Sequence, residues 1–367
     1  MPGGGRAGLT STRLSIMGDR VWTLTPERLD FLRRGYRVPG TAVGIIDAEG
    51  VVSVDTAGIV DPAGRLVSAD SRFQVASLTK VITAWAALRM VADGLIDLDE
   101  PVLPHLDWDL PLNGHGHGEG ITLRALLSHT AGLPRAASPQ FSDEASIPSL
   151  VGLLGGTDGV PVGLEADPGS VFRYSNPGYV LIELLIKSRT GIDFAEWTRT
   201  TVLEPMGMKA SSFHRTASAV PEAVTPHRYL GHPLPQIVYG YLASGGLWTT
   251  VPDLLKLVAA MGPVNRGAGV LPPALVEEMW SSPPAAHLFL RHGGYGLGQI
   301  WGILASGQRF VANQGSRPGW RSLLLVLPDR GSGMVALTNA NSGLPMTVHL
   351  ALRWLRATQG EPLRRCV

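Results

Sequence analysis

The sequence predicts an α+β fold. An antiparallel sheet is built from both ends of the chain, helices flank it, and a mostly helical segment is inserted between its two halves. Two observations carry this reading. Strand patterns occur at 41–57 and return only at 299–339. The intervening stretch, roughly 105–250, is rich in Gly, Pro and short helical patterns and has few alternating runs. Strands from the two ends must then pair across the insertion, and a cleft is expected where the two parts meet. The expected division is a discontinuous α/β domain of residues 21–104 and 251–367, an inserted domain of 105–250, and a disordered leader of 1–20.

The elements follow in order. Thr25 is placed to cap a short helix carrying Leu29, Phe31 and Leu32. Thr41–Asp47 and Val51–Ala57 read as strands joined at Ala48-Glu49-Gly50. Arg72–Val75 is a short extended entry to a helix that begins near Ser77, sets Leu78, Val81, Ile82, Trp85 and Leu88 on one face, and ends at Gly94. Thr122–Leu127, Pro177–Ser188 and Phe194–Leu203 have helical patterns. Gln299–Ala305, Gln308–Asn313, Ser322–Leu327 and Met334–Asn339 are strand runs divided by turn residues. A last amphipathic helix contains Val348, Leu350, Leu352, Trp354 and Leu355.

At 367 residues, 44% hydrophobic and 17% charged, the chain has the composition of an ordinary globular protein with a large core. A net charge of +1 gives no sign of a nucleic-acid surface or a polybasic membrane patch. No stretch reaches the roughly eighteen uninterrupted apolar residues of a membrane span. The N-terminal stretch lacks the apolar segment of a secretory signal, Met17 is a candidate start, and the expected compartment is the cytoplasm. The single cysteine, Cys366, cannot form an internal disulfide. His115-Gly116-His117-Gly118-Glu119 holds a His-x-His pair with no evident third ligand, so it reads as a solvated loop and no metal is expected.

The chemistry concentrates in three segments. In Ser77-Leu78-Thr79-Lys80 the serine and lysine lie one helical turn apart on the same face. If that face is buried, the amine loses hydration, its pKa falls, and it becomes a base able to activate the hydroxyl. The chain has only four lysines, and Lys80 alone has a serine three residues before it. The competing reading is a surface helix start with Ser77 as its cap.

Tyr174-Ser175-Asn176 is the second segment. A phenol beside a lysine ammonium has a lowered pKa and serves as base or proton relay. The asparagine amide either bonds a substrate carbonyl or holds the lysine. The competing reading is an Asn-Pro-Gly turn with Tyr174 packed beneath it. The third segment, Asn313-Gln314-Gly315-Ser316-Arg317-Pro318-Gly319-Trp320, leaves a strand, and Gly315 would let a substrate approach the backbone. The competing reading is a hairpin turn at Pro318-Gly319.

Together these segments resemble the family of class C serine β-lactamases, penicillin-recognising D-peptidases and β-lactamase-like esterases and transacylases. The resemblance covers about residues 25–357. It extends to Leu126-Leu127-Ser128-His129-Thr130-Ala131-Gly132-Leu133-Pro134 and to Ala243–Thr250 with Asp253-Leu254. It implies a β-lactamase/transpeptidase-like fold, Ser77 as the acylated nucleophile, Lys80 as base or relay, and Tyr174 as activator of Ser77 and of the acceptor. It further implies substrate binding by Asn176, Asn313, Gly315, Ser316 and Arg317, with an oxyanion hole from the Ser77 and Ser316 N–H groups. No cofactor is implied.

One position departs from the pattern, because the third segment ordinarily begins with lysine or histidine. Neutral Asn313 donates hydrogen bonds but brings no charge, which puts β-lactam hydrolysis and D-peptidase activity in doubt. Arg317 is the candidate substitute. The expected function is an acyl-enzyme serine hydrolase or transacylase that takes an acyl group from a small ester, thioester or amide donor and passes it to water, an amine or an alcohol. The alternatives are a β-lactamase or D-amino-acid peptidase, and a catalytically inactive binding protein on the same fold.

Overall fold

A computed structural model describes residues 24–156, 161–235, 237–287 and 292–359. The expected leader with Met17, and Cys366, lie outside the described residues. Among these residues the strands are β1 (Gly40–Ile46), β2 (Val52–Gly58), β3 (Phe73–Gln74), β4 (Gln140–Phe141), β5 (Ser212–Phe213), β6 (Val238–Tyr239), β7 (Leu247–Thr249), β8 (Gly293–Tyr295), β9 (Ile300–Ile303), β10 (Arg309–Arg317), β11 (Trp320–Leu327) and β12 (Ser332–Thr338). The α-helices are α1 (Pro26–Gly35), α2 (Thr79–Ala92), α3 (Leu123–Leu127), α4 (Leu150–Leu154), α5 (Pro177–Thr190), α6 (Phe194–Thr198), α7 (Val251–Met261), α8 (Pro273–Glu278) and α9 (Gly343–Thr358).

The main sheet has the order β2-β1-β12-β11-β10-β9-β8, with every pair antiparallel. Its centre joins the two ends of the chain, since Thr41 on β1 pairs with Thr338 on β12. Alternation along the strands sorts side chains to two faces. Val43, Leu325, Leu327, Met334 and Ala336 pack with Leu29 of α1 and Met346, Leu350 and Trp354 of α9. Ala42, Leu324, Val326, Val335 and Leu337 face the larger core, which takes in α7, α2 and α5. A one-residue slip would exchange these sets, so the register is firmly specified. No helix among the described residues is long and apolar enough to cross a membrane.

Two helices differ from the amphipathic expectation. In α2 every residue from Thr79 to Leu88 is buried, so the helix is enclosed all round rather than along one face. Its packing against α5 and α6 covers the side that a surface helix would leave wet. In α9 the buried stripe is Met346, Leu350, Ala351 and Trp354, while Val348 and Leu352 point outward. Phe31 of α1 is likewise exposed.

The site is positioned by short pairings. β3 pairs with β7, and the Val75 N–H donates to the Leu247 carbonyl, so the turn holding Ser77 lies beside residues 243–247. Thr83 Oγ1 donates to the Ala243 carbonyl and the Leu247 N–H to Thr79 Oγ1, which fastens that segment to α2. From the other side, Ser322 Oγ donates to the Val75 carbonyl at 2.8 Å. A Cβ on Gly315 would fall 2.0 Å from the same carbonyl oxygen, so glycine is what lets β10 close on the Ser77 turn. The β10–β11 hairpin turns at Pro318-Gly319, where Gly319 has φ +81°.

Candidate active site

Ser77 lies in a single 3-10 turn, Ala76–Leu78, that runs directly into α2. Ala76 before it has φ +48°, a left-handed conformation that costs an alanine about 1–2 kcal/mol and is retained because the turn is fixed on both sides. The turn presents Ser77 partly open to a cavity of about 190 Å³, whose lining includes Asn176, Tyr239, Ser244, Ser316 and Arg317.

Lys80 sits beneath the serine on the first turn of α2 and is fully buried. Its Nζ donates to Asn176 Oδ1 at 2.9 Å and to the Ser244 carbonyl at 2.8 Å, and stands 3.4 Å from Ser77 Oγ. Among the described residues no carboxylate pairs with it. Burial, aided by the positive Arg317, pushes its pKa well below the ordinary lysine value. The Tyr174 hydroxyl bonds Ser77, and Lys80 Nζ lies 4.9 Å from the Tyr174 ring centre.

Tyr174 departs from expectation in its acidity. Burial pushes the phenol up to about 12, and the Ser77 bond and the charges of Arg135 and Arg317 offset this only in part. The expected lowering by a lysine ammonium fails because Lys80 is itself driven towards its neutral form. Asn176 holds the lysine. Its Oδ1 accepts from Lys80 and its Nδ2 donates to the Ala136 carbonyl, so both ends of the amide are engaged within the protein.

The third segment divides. Ser316 and Arg317 line the cavity with Ser77. Asn313 is buried and its Nδ2 donates to the Gly298 carbonyl, away from the cavity lining. Gly315 meets Val75 and Ser322 and is a packing residue of the turn. The His115–Glu119 loop brings His115 to 3.7 Å from Asp167, and among the described residues no group of three His, Cys, Asp or Glu could hold a metal.

Three features were not singled out as site residues from the sequence. The Ser244 carbonyl is an acceptor for Lys80, and a backbone oxygen has no residue signature. Tyr239 stacks under Arg317, with 3.9 Å between the guanidinium carbon and the ring centre. His129 is buried among Tyr174, Tyr179 and Tyr295 at ring separations of 4.2, 5.3 and 4.8 Å. Its Nδ1 accepts from the Ser175 N–H at 3.1 Å, fixing the turn that carries Tyr174 and Asn176. Burial and the Lys80 charge push its pKa well below the usual imidazole range, so the ring is neutral. His129 and Ser244 both lie in the segments of resemblance, which was the available signal.

The family model for Beta-lactamase matches residues 26–359. The chain belongs to the beta-lactamase family. Protein flp of Staphylococcus aureus (strain NCTC 8325 / PS 47) is 24% identical over 324 residues, covering 85% of this chain. The match spans 61% of that curated relative's length. The crystal structure of SurE superposes with a TM-score of 0.77 at 24% identity, over 93% of this chain and 76% of that one. A D-stereospecific amidohydrolase from Streptomyces sp. has a TM-score of 0.69 at 26% identity, over 86% of this chain and 94% of that one. The fold is thus the beta-lactamase and penicillin-binding-protein type, and the family is one of serine hydrolases that includes amidases.

Proposed function

We propose that this protein is a serine acyl-transfer enzyme in which Ser77 takes an acyl group from a small ester, thioester or amide and passes it to water, an amine or an alcohol. One observation carries the reading. A neutral lysine amine has two N–H bonds and one lone pair. Asn176 and Ser244 accept the two N–H bonds of Lys80, which leaves the lone pair to face the Ser77 hydroxyl. That is the arrangement a general base needs.

As Ser77 Oγ forms its bond to the substrate carbonyl carbon, its proton passes to Lys80 Nζ. The carbonyl electrons move onto oxygen, where the Ser77 and Ser316 N–H groups are the proposed donors. Collapse breaks the bond to the leaving group, which takes a proton from the Tyr174 hydroxyl, and Lys80 restores that proton. The acceptor then repeats the sequence in reverse and Ser77 recovers its hydrogen. A tyrosine of pKa about 12 suits this role, since it stays protonated and both donates and accepts.

The test is the release of p-nitrophenol from a short-chain p-nitrophenyl ester, followed from the first milliseconds with and without an added amine. A burst lost in Ser77→Ala, with turnover accelerated by amine, is the result expected of an acyl-enzyme built for transfer. A burst indifferent to amine leaves hydrolysis. Absence of both burst and turnover across a set of acyl chains would overturn the reading in favour of a binding protein.

A second reading is hydrolysis of D-configured amides. Its support is the likeness to the D-stereospecific amidohydrolase and to SurE, whose structure has been determined with D-Leu. Paired D- and L-amino-acid p-nitroanilides discriminate it.

A further inference from the structure

We infer that Glu183 is a positioning residue for Lys80: its carboxylate, facing Arg215, holds the 239–245 segment so that the Ser244 carbonyl meets the amine. This rests on the acyl-transfer reading and adds to it the group that fixes the second acceptor of the base.

The ties run from atom to atom. Glu183 is buried on α5, two helical turns on from Asn176, so the two side chains share one face of the helix. Asn176 Oδ1 accepts from Lys80 directly. Glu183 Oε2 accepts from the Ala243 N–H at 3.2 Å, and the Leu242 N–H bonds the same carboxylate. Its Oε1 faces Arg215 Nη2 at 3.9 Å. Arg215 Nη1 in turn donates to the Tyr239 and Gly240 carbonyls. The next residue along the segment, Ser244, gives its carbonyl to Lys80 at 2.8 Å. One helix therefore sets both acceptors of the amine, the first by contact and the second through the backbone that Glu183 holds.

The chemistry favours a carboxylate at this position. The Leu242 and Ala243 N–H groups point into the buried contact with α5, where unpaired donors are costly. A carboxylate accepts both and still presents an oxygen to a guanidinium, whereas an amide would turn N–H bonds towards one or the other. Burial raises the Glu183 pKa and the charge of Asp193 adds to this, while Arg215 and the two N–H groups oppose it. Lys80 is surrounded differently. It faces the rings of Tyr174 and Tyr179, it acts on His129, and the charge that acts on it is that of Arg317. Glu183 thus works through the segment between them. From the opposite side Thr83 Oγ1 donates to the Ala243 carbonyl, so loss of the Glu183 tie shifts the Ser244 carbonyl without freeing the segment from α2.

The chain has only four lysines, so isotope labelling at the lysine Cε reads Lys80 by NMR, its resonance assigned by its loss in Lys80→Met. In Glu183→Gln the Lys80 resonance moves at fixed pH while those of Lys187, Lys209 and Lys256 stay in place. Its titration midpoint falls by about 0.5 or more, because a lost carbonyl acceptor disfavours the ammonium. With p-nitrophenyl hexanoate, kcat falls about tenfold and KM changes by less than about twofold. Glu183→Asp keeps the charge and restores part of both effects. Should Glu183→Gln fail to fold, Arg215→Lys keeps the charge but loses the fork to the 239 and 240 carbonyls, and shows a smaller change in the same direction. A folded Glu183→Gln whose Lys80 resonance stays in place overturns the positioning role and leaves Glu183 a packing residue. In an active enzyme, a moved midpoint with unchanged kcat also overturns it, since charge alone would then be acting. The NMR arm needs no turnover, so failure of the acyl-transfer reading is told apart from failure of this one.

Discussion

Lys80 Nζ stands 2.9 Å from Asn176 Oδ1, which joins the base candidate on α2 to the residue immediately before α5, 96 positions away. With the Ser244 carbonyl, this contact uses the amine's N–H bonds and orients what remains of it towards Ser77. Burial, and after it the charge of Arg317, shifts the balance towards the neutral amine.

The pH profile follows. Activity needs neutral Lys80, so kcat/KM for a neutral ester rises with pH along one ionisation whose midpoint lies well below the ordinary lysine value of about 10.4. Tyr174, at about 12, stays protonated throughout the neutral range. Tyr174→Phe lowers the plateau by about 10²–10⁴-fold and leaves the midpoint in place. An acid limb that moves with Tyr174 would assign it to the phenol instead.

Stability should carry the same signature. The folded pKa of Lys80 lies below the unfolded one, so between the two the unfolded chain binds a proton that the folded chain does not. Wild-type stability therefore rises with pH across that window, and below it the burial cost of the ammonium is fully present. Relative to Lys80→Met, the wild-type Tm increases on going from about pH 6 to about pH 10. A difference independent of pH would mean that Lys80 titrates alike in both states.

Gly315→Ala tests the closure of β10 on the nucleophile turn. The added Cβ meets the Val75 carbonyl at 2.0 Å and Ser322 Oγ at 2.4 Å. The strand must move away, at a cost of about 1–3 kcal/mol. Displacing the Ser316 N–H from Ser77 lowers kcat by about a hundredfold. Unchanged burst kinetics in a folded variant would remove Ser316 from the proposed oxyanion hole.

His129→Ala removes a neutral ring packed on three tyrosines and the acceptor of the Ser175 N–H. The cavity and the unpaired donor together cost about 3 kcal/mol, read in denaturant unfolding. Because the turn it fixes carries both Tyr174 and Asn176, kcat falls more than KM changes. A loss confined to stability would make His129 a core residue only.

Much of this protein was legible locally. The Ser77–Lys80 spacing is a property of one helical turn, and the β1–β2 and β10–β11 hairpins follow from alternation and turn residues. The union of both chain ends in one sheet followed from where the strand patterns cluster. These are short-range consequences of backbone geometry, and they hold wherever the segments pack.

Tertiary structure decided the rest. That α2 is enclosed on every side depends on α5 and α6 covering the face left open to choice in the sequence. The Tyr174 pKa depends on how much water its surroundings exclude, so proximity to a lysine could not foretell it. Asn313 turns to Gly298, and Arg317 turns to Tyr239 and Gly245, because partners from distant segments occupy those places. The sequence by itself determined which groups could react and their spacing along one helix. Desolvation and side-chain direction are properties of the assembled surroundings, and only the folded chain set them.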